Sequence, residues 1–288
     1  MKGRLAAVVV GVAVLAGTIL ASGVSCTSIR TRVWMNEGNK LYKAQRYDEA
    51  VEFYKKIIAI DPGNWTANYL IAMSYTALYH PGSEHEKDKE YVDKATQTFE
   101  KLMGMQAPDK DTEDRVRNYY VALLLAASKT DKVKAYYEGL LAKDSRNTVL
   151  MGQLAEIYAK AGDFDNALKY YQKRAEIEPN NKEFWYTIGV LCWDRVHNLR
   201  STMSEEENLK TIDTGVAALE KAINLDKQYF DGYVYINLIY REKALVLSSA
   251  SKAIEAGEAF DKAEEYKKIA EDLGKKRMAA QAAAKKGA

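Results

Sequence analysis

The chain predicts an all-α protein in which about six helix-turn-helix units stack into a solenoid closed by a C-terminal capping helix. Three observations predict it. Apolar residues keep a three-and-four spacing along most of the length, which puts one apolar stripe on each helix, while the alternating runs expected of strands are missing. Only four prolines occur in 288 residues; Pro62, Pro108 and Pro179 fall at expected helix ends and Pro81 in an inserted segment. Finally, a pattern of about 34 residues recurs, the length of a helix pair that buries its apolar face only by stacking on its neighbours.

The clearest unit runs from Thr148 to Asn181. Leu154, Ala155 and Tyr158 lie on its first helix, Gly162 in the turn, Ala167 and Tyr171 on the second helix, and Pro179 near its end. Small residues let the two helices approach, aromatic residues fill the space beside them, and proline stops the second helix. Thr31–Asn64 carries Trp34, Gly38, Ala50, Tyr54 and Pro62 in the same register, with Glu37 where an apolar residue is usual. This pattern resembles the tetratricopeptide repeat, and the likeness implies a right-handed superhelix.

The remaining units match in part. A unit opening at Trp65 keeps Ala72 and Tyr75, and its second helix resumes at Ala95 and Phe99, so an extra segment is expected near 78–90. Asp114–Asn147 is degenerate, with Val121, Leu124, Val133 and Tyr137 in place and Ser145 instead of proline. From Lys182 come Trp185, Ile188 and Gly189, an insertion near 194–210, then Gly215, Leu219 and Ala222. A sixth unit opens at Phe230 with Tyr233, Ile236, Asn237 and Tyr240 and has a long second helix. The expected organisation is a signal or anchor over 1–25, a short linker over 26–30, the solenoid over 31–250, and a solvating helix with a basic tail over 251–288.

The N-terminus bears on location. Lys2 and Arg4 precede an uncharged run, Leu5 to Val24, that reads as an export signal or a membrane anchor and stands outside the fold. Cys26 follows Gly23, Val24 and Ser25, which is similar to a bacterial lipoprotein signal whose cysteine becomes the lipidated first residue. The usual leucine and the small residue just before the cysteine are replaced by Gly23 and Ser25. Ordinary cleavage near Ala21–Gly23 and an uncleaved anchor are the alternatives. The expected location is a bacterial envelope, with the repeats facing the periplasm or exterior.

Composition excludes several functions. The chain has 42 basic and 40 acidic residues, so without Lys2 and Arg4 the charges balance and no nucleic-acid preference follows. The basic residues Lys275, Lys276, Arg277, Lys285 and Lys286 lack the interleaved aromatics that stacking on bases needs. Cys192 reads as a core residue, and with Cys26 as the lipidation candidate no internal disulfide is expected. His80 and His85 lie near Glu84 and Glu86 without zinc-site spacing, and His197 has no evident acidic partner. Glu205–Glu207 reads as a helix start capped by Ser204. No enzyme, cofactor or metal is expected.

Function then falls to surface. The repeat resemblance implies that first helices line a concave groove, which puts Asn39, Tyr69, Met73, Asn118, Tyr186, Trp193 and Arg241 on it, with Met35, Tyr42, Arg115, Val190, Val234 and Leu238 beside them. Aromatic residues and arginine bury much area at low entropy cost. Asn39, Asn118 and Arg241 are suited to hold the main chain of a bound peptide. Of a carboxylate clamp known among such repeats, Asn39 and Arg115 match while Met35, Leu70 and Tyr119 replace polar members, so that mode is rejected. The expected function is a non-enzymatic adaptor that binds a protein segment, tethered through Cys26. Its layout is similar to envelope repeat lipoproteins such as type IV pilus pilotins. The alternative is a structural subunit of a larger envelope assembly, docked through the two insertions.

Overall fold

A computed structural model describes residues 27–286, and every regular element among them is an α-helix. Their order is α1 (27–43), α2 (Tyr47–Ile60), α3 (Trp65–Leu78), α4 (Glu86–Met103), α5 (Lys110–Ala126), α6 (Thr130–Lys143), α7 (Thr148–Lys160), α8 (Phe164–Ile177), α9 (Lys182–Leu199), α10 (Glu205–Leu225), α11 (Phe230–Ser249) and α12 (Ala253–Lys286). The expected all-α solenoid class holds. The chain divides into two units at Val133, within α6. In the first, α2 packs on α3, α3 on α4 and α4 on α5; in the second, α7 to α12 pack in sequence and α9 also meets α11.

Local chemistry makes the hairpins. The links α1–α2, α5–α6, α7–α8 and α11–α12 are each three residues long, and their middle residue is left-handed: Gln45 at φ 59°, Ser128 at 55°, Gly162 at 77° and Ser251 at 61°. That conformation turns the next N–H back onto the helix, from Arg46 to Leu41, Lys129 to Leu124, Asp163 to Tyr158 and Lys252 to Leu247, at 2.8–3.0 Å. Carbonyls at the helix end are thereby satisfied and the chain reverses at once. At the other end of the repeat, Asn64, Asn147 and Asn181 cap α3, α7 and α9 through their side chains.

Small residues set the helix spacing. A methyl on Gly38 would stand 2.5 Å from the ring of Tyr54, which is wholly buried, so glycine is what allows α1 to lie against α2. The core of the first unit adds Ala50, Ile57, Ala72, Ala95, Phe99 and Leu124. The second unit is built around Leu154, Ala155, Ala167, Ile188, Cys192, Ile212, Leu219 and Ile236. Burial of Cys192 pushes its thiol up to about 12, so it stays protonated.

Four sequence expectations are altered. Residues 27–30, expected as linker, are already helical, because no proline or glycine interrupts them. The expected insertion at 194–210 is mostly helix: α9 continues to Leu199, α10 starts at Glu205, and Val196, Asn208 and Ile212 extend the buried contact. At 78–90 only 79–85 form a loop, since α4 begins at Glu86. The terminal helix expected over 251–288 is the partner of α11 and buries Ala259, Ala263 and Ala270. Cys26 and the segment before it lie outside the described residues.

Candidate binding surface

The second unit offers the better-defined surface. First helices of successive hairpins, α9 and α11, lie side by side. Tyr186, Val190 and Trp193 on α9 and Val234, Leu238 and Arg241 on α11 are all half-buried. Tyr186 sets its ring edge-on to Tyr229 and Tyr235, each at 5.4 Å, and Tyr235 meets Trp193 edge-on at 5.3 Å. Trp193 in turn stacks on His197 at 4.9 Å. Burial, aided by Tyr235, pushes the Tyr186 phenol up to about 12, leaving it a hydrogen-bond donor at neutral pH.

This aromatic row ends in a pocket of about 550 Å³ formed by α9, α11 and α12. Trp193, Leu238, Leu245 and Phe260 give it apolar walls, while Ala244, Ala256 and Gly257 leave it open by being small. Leu245 and Phe260 are each 48% exposed, a large apolar area for a surface. Beneath it lies Glu242, buried to 5% exposure, which accepts from Arg200 and sits 2.7 Å from His197 Nδ1. Burying a carboxyl group without such hydrogen-bond partners would be costly. His197 therefore has an acidic partner after all, 45 residues away on α11.

The expected site residues divide between the units. Tyr186, Trp193 and Arg241 belong to this surface. Arg241, expected to grip a partner's main chain, is committed elsewhere: it donates to Glu264 and to Asn237 Oδ1 and lies 5.6 Å from the Phe260 ring. It is thus a wall of the pocket.

In the first unit, Tyr69 stacks on Trp65 at 5.2 Å, and Tyr42, Tyr119 and Arg115 are near enough to influence its phenol, which burial pushes up. Met73 is half-buried and Asn118 exposed. Asn39 accepts a hydrogen bond from the Tyr54 hydroxyl at 2.9 Å, which fixes its amide. Phe260, Tyr235 and Glu242 were not foreseen. For Phe260 the available signal was the single phenylalanine of α12, and for Glu242 its place beside Arg241 on the register-matched α11.

Around His80 the chemistry is structural. Asp88 accepts from the His80 backbone N–H at 2.8 Å and the Ser83 hydroxyl at 2.6 Å, and its side chain lies 3.1 Å from the His80 ring. Among the described residues no group of three or more histidine, cysteine, aspartate or glutamate side chains is arranged to hold a metal. None of their helices is long and apolar enough to cross a membrane.

Comparison with known proteins agrees with the repeat. Residues 31–64 match one tetratricopeptide-repeat family model and residues 124–191 another. The chain carries tetratricopeptide repeats, whose usual role is to bind proteins or peptides rather than to catalyse. Among solved structures, YrrB, described as a repeat protein with an unusual peptide-binding site, is similar at 20% identity over 69% of this chain and 88% of its own, with a TM-score of 0.37. The C-terminal part of a repeat protein from Cytophaga hutchinsonii is similar at 18% identity over 81% and 78%, with a TM-score of 0.44. MamA is similar at 17% identity over 83% and 92%, with a TM-score of 0.29.

Proposed function

We propose that this chain is a non-enzymatic scaffold that seats an apolar side chain of a partner protein in the pocket between α9, α11 and α12. One observation carries the reading: Trp193 and Leu238, assigned to the groove by register, converge with the exposed ring of Phe260 on one open apolar cavity. Burying a leucine or phenylalanine there is worth about 1.5–3 kcal/mol. The surrounding aromatic row gives the partner's flanking residues rigid surface at small entropy cost.

A photo-crosslinking residue placed at Leu245, on the rim, tests it in native cells. One discrete partner is expected, absent from the same probe at Lys173, and lost when Trp193→Ala and Phe260→Ala are combined while helicity is retained. Crosslinks that survive the double change would discard the pocket.

We also propose that the scaffold is tethered at a membrane of the bacterial envelope through Cys26, on the strength of the apolar run Leu5–Val24 and the small residues before the cysteine. Cys26→Ser should move the protein from the detergent phase to the aqueous phase. Unchanged partitioning would favour an uncleaved anchor.

A further inference from the structure

Arg174 on α8 is an arginine without an acid. Among the described residues it has no ion-pair partner, and its Nε is buried with no hydrogen-bond acceptor. Glu178, whose field reaches it, instead accepts the Thr148 hydroxyl at 2.6 Å. The guanidinium Cζ stands over the Phe184 ring, 3.7 Å from its centroid, so a cation–π contact holds the group in place. A guanidinium cannot shed its proton to escape burial.

Gly152 on α7 explains where that group points. A methyl built on Gly152 would stand 3.0 Å from Arg174 Nη1 and 3.1 Å from Cζ. Gly152 holds the repeat position that Tyr186 holds in the next hairpin, the one directed at the binding face. Arg174 thus comes from the second helix and fills the place that a first-helix side chain would otherwise occupy. It is half-buried, so part of it meets solvent.

We propose that Gly152 and Arg174 form a carboxylate-recognition site on the binding face of the second unit, which reads an aspartate or glutamate side chain of the partner protein. The inference rests on that face meeting a protein. A carboxylate in the plane of the guanidinium accepts two parallel N–H bonds and supplies the charge that Arg174 lacks. The lysine alternative would give a hydrated point charge with no preferred plane, and a side chain at Gly152 would displace the fork.

The test is NMR observation of arginine Nε–H signals in the full chain, titrated with three peptides: Ac-Ala-Glu-Ala-NH2, Ac-Ala-Gln-Ala-NH2 and Ac-Ala-Ala-OH. A saturable shift of the Arg174 signal with the glutamate peptide alone is expected, larger than that of exposed Arg115. Arg174→Gln, and Gly152→Leu with the arginine retained, should each weaken binding of the glutamate peptide by roughly tenfold or more, the scale of one charge-assisted bond pair. Equal response to the glutamine peptide, a response no larger than at Arg115, or response only to the free C-terminus overturns the assignment. No cellular partner enters this measurement, so it stands or falls separately from the Leu245 crosslink.

Discussion

Hairpins α7–α8 and α9–α10 belong to one unit and stack in sequence, yet their geometry is set at different ranges. The first reverses in three residues, with Gly162 left-handed and Asp163 capping α8. Its instructions are local. The second spans 200–204 and is tied from a distance: Glu242 on α11 binds Arg200 and His197, and Asn208 donates to the carbonyls of Arg200, Met203 and Ser204. Local bonds shape that link, and the carboxylate of Glu242, 42 residues beyond Arg200, adds a tie from outside the hairpin.

Interhelix spacing sharpens the contrast most. The first helix of the earlier hairpin carries Ala155 where the later one has Gly189, and a methyl on Gly189 would lie 2.3 Å from Leu219 Cγ. Gly189→Ala should therefore lower stability by about 1–3 kcal/mol, and Leu219→Ala alone by about 2–5 kcal/mol. Combined, the two should cost clearly less than their sum, because the new methyl enters the space vacated by leucine. Strict additivity in denaturant midpoints would mean that α9 and α10 do not meet at this point.

The ionic tie comes next. Arg200→Ala leaves Glu242, only 7% exposed at its side chain, with His197 alone. Since Arg200 is itself 35% exposed, the expected loss is about 1–2 kcal/mol rather than that of a fully buried pair. Faster amide exchange should appear at the start of α10 and not at the start of α8. Equal exchange at both would remove the claim that the second link is held from afar.

Turn residues give a smaller and oppositely signed pair. Gly162→Ala imposes a side chain on a left-handed residue and should cost about 1 kcal/mol, whereas Ser251→Gly in the matching turn of α11–α12 should gain up to about 1 kcal/mol. Thermal melts of both variants check the signs.

Legibility in the sequence followed this same division of range. The register of Leu154, Ala155, Tyr158, Ala167 and Pro179 was readable because it is repeated and because each residue type answers a neighbour within the repeat. Ser204 was readable as a cap, and it forms a full capping box with Glu207. The lengthened α9 was not, since Val196 looks like any apolar residue until it is seen to share a buried cluster with Ile212 of α10. The candidate surface was legible in part: Trp193 and Tyr186 follow from register, whereas Phe260 comes from α12, which has no repeat pattern, and the partners of Glu242, Arg200 and His197, lie 42 and 45 residues away on another hairpin. The commitment of Arg241 to Glu264 was not legible, because Glu264 lies on the poorly matched α12.

Another extended link, 79–85, offers the finest test of whether long links are organised. Its residues close on Asp88 in α4, whose carboxyl is held down at about 2, first by the Ser83 hydroxyl and then by the His80 backbone N–H. An unfolded aspartate titrates near about 3.9. A carboxyl lowered on folding contributes stability that is complete above that value and is lost as pH falls toward 2. Acid should therefore loosen this loop between about pH 4 and 2, with no change near neutrality. Ser83→Ala removes the largest of those bonds, so carboxyl-carbon NMR should show the Asp88 midpoint rising toward the ordinary value. A midpoint already near 3.9 in the unaltered protein would mean that the seven-residue loop is not gathered on Asp88, and that this link, unlike 200–204, has no anchor.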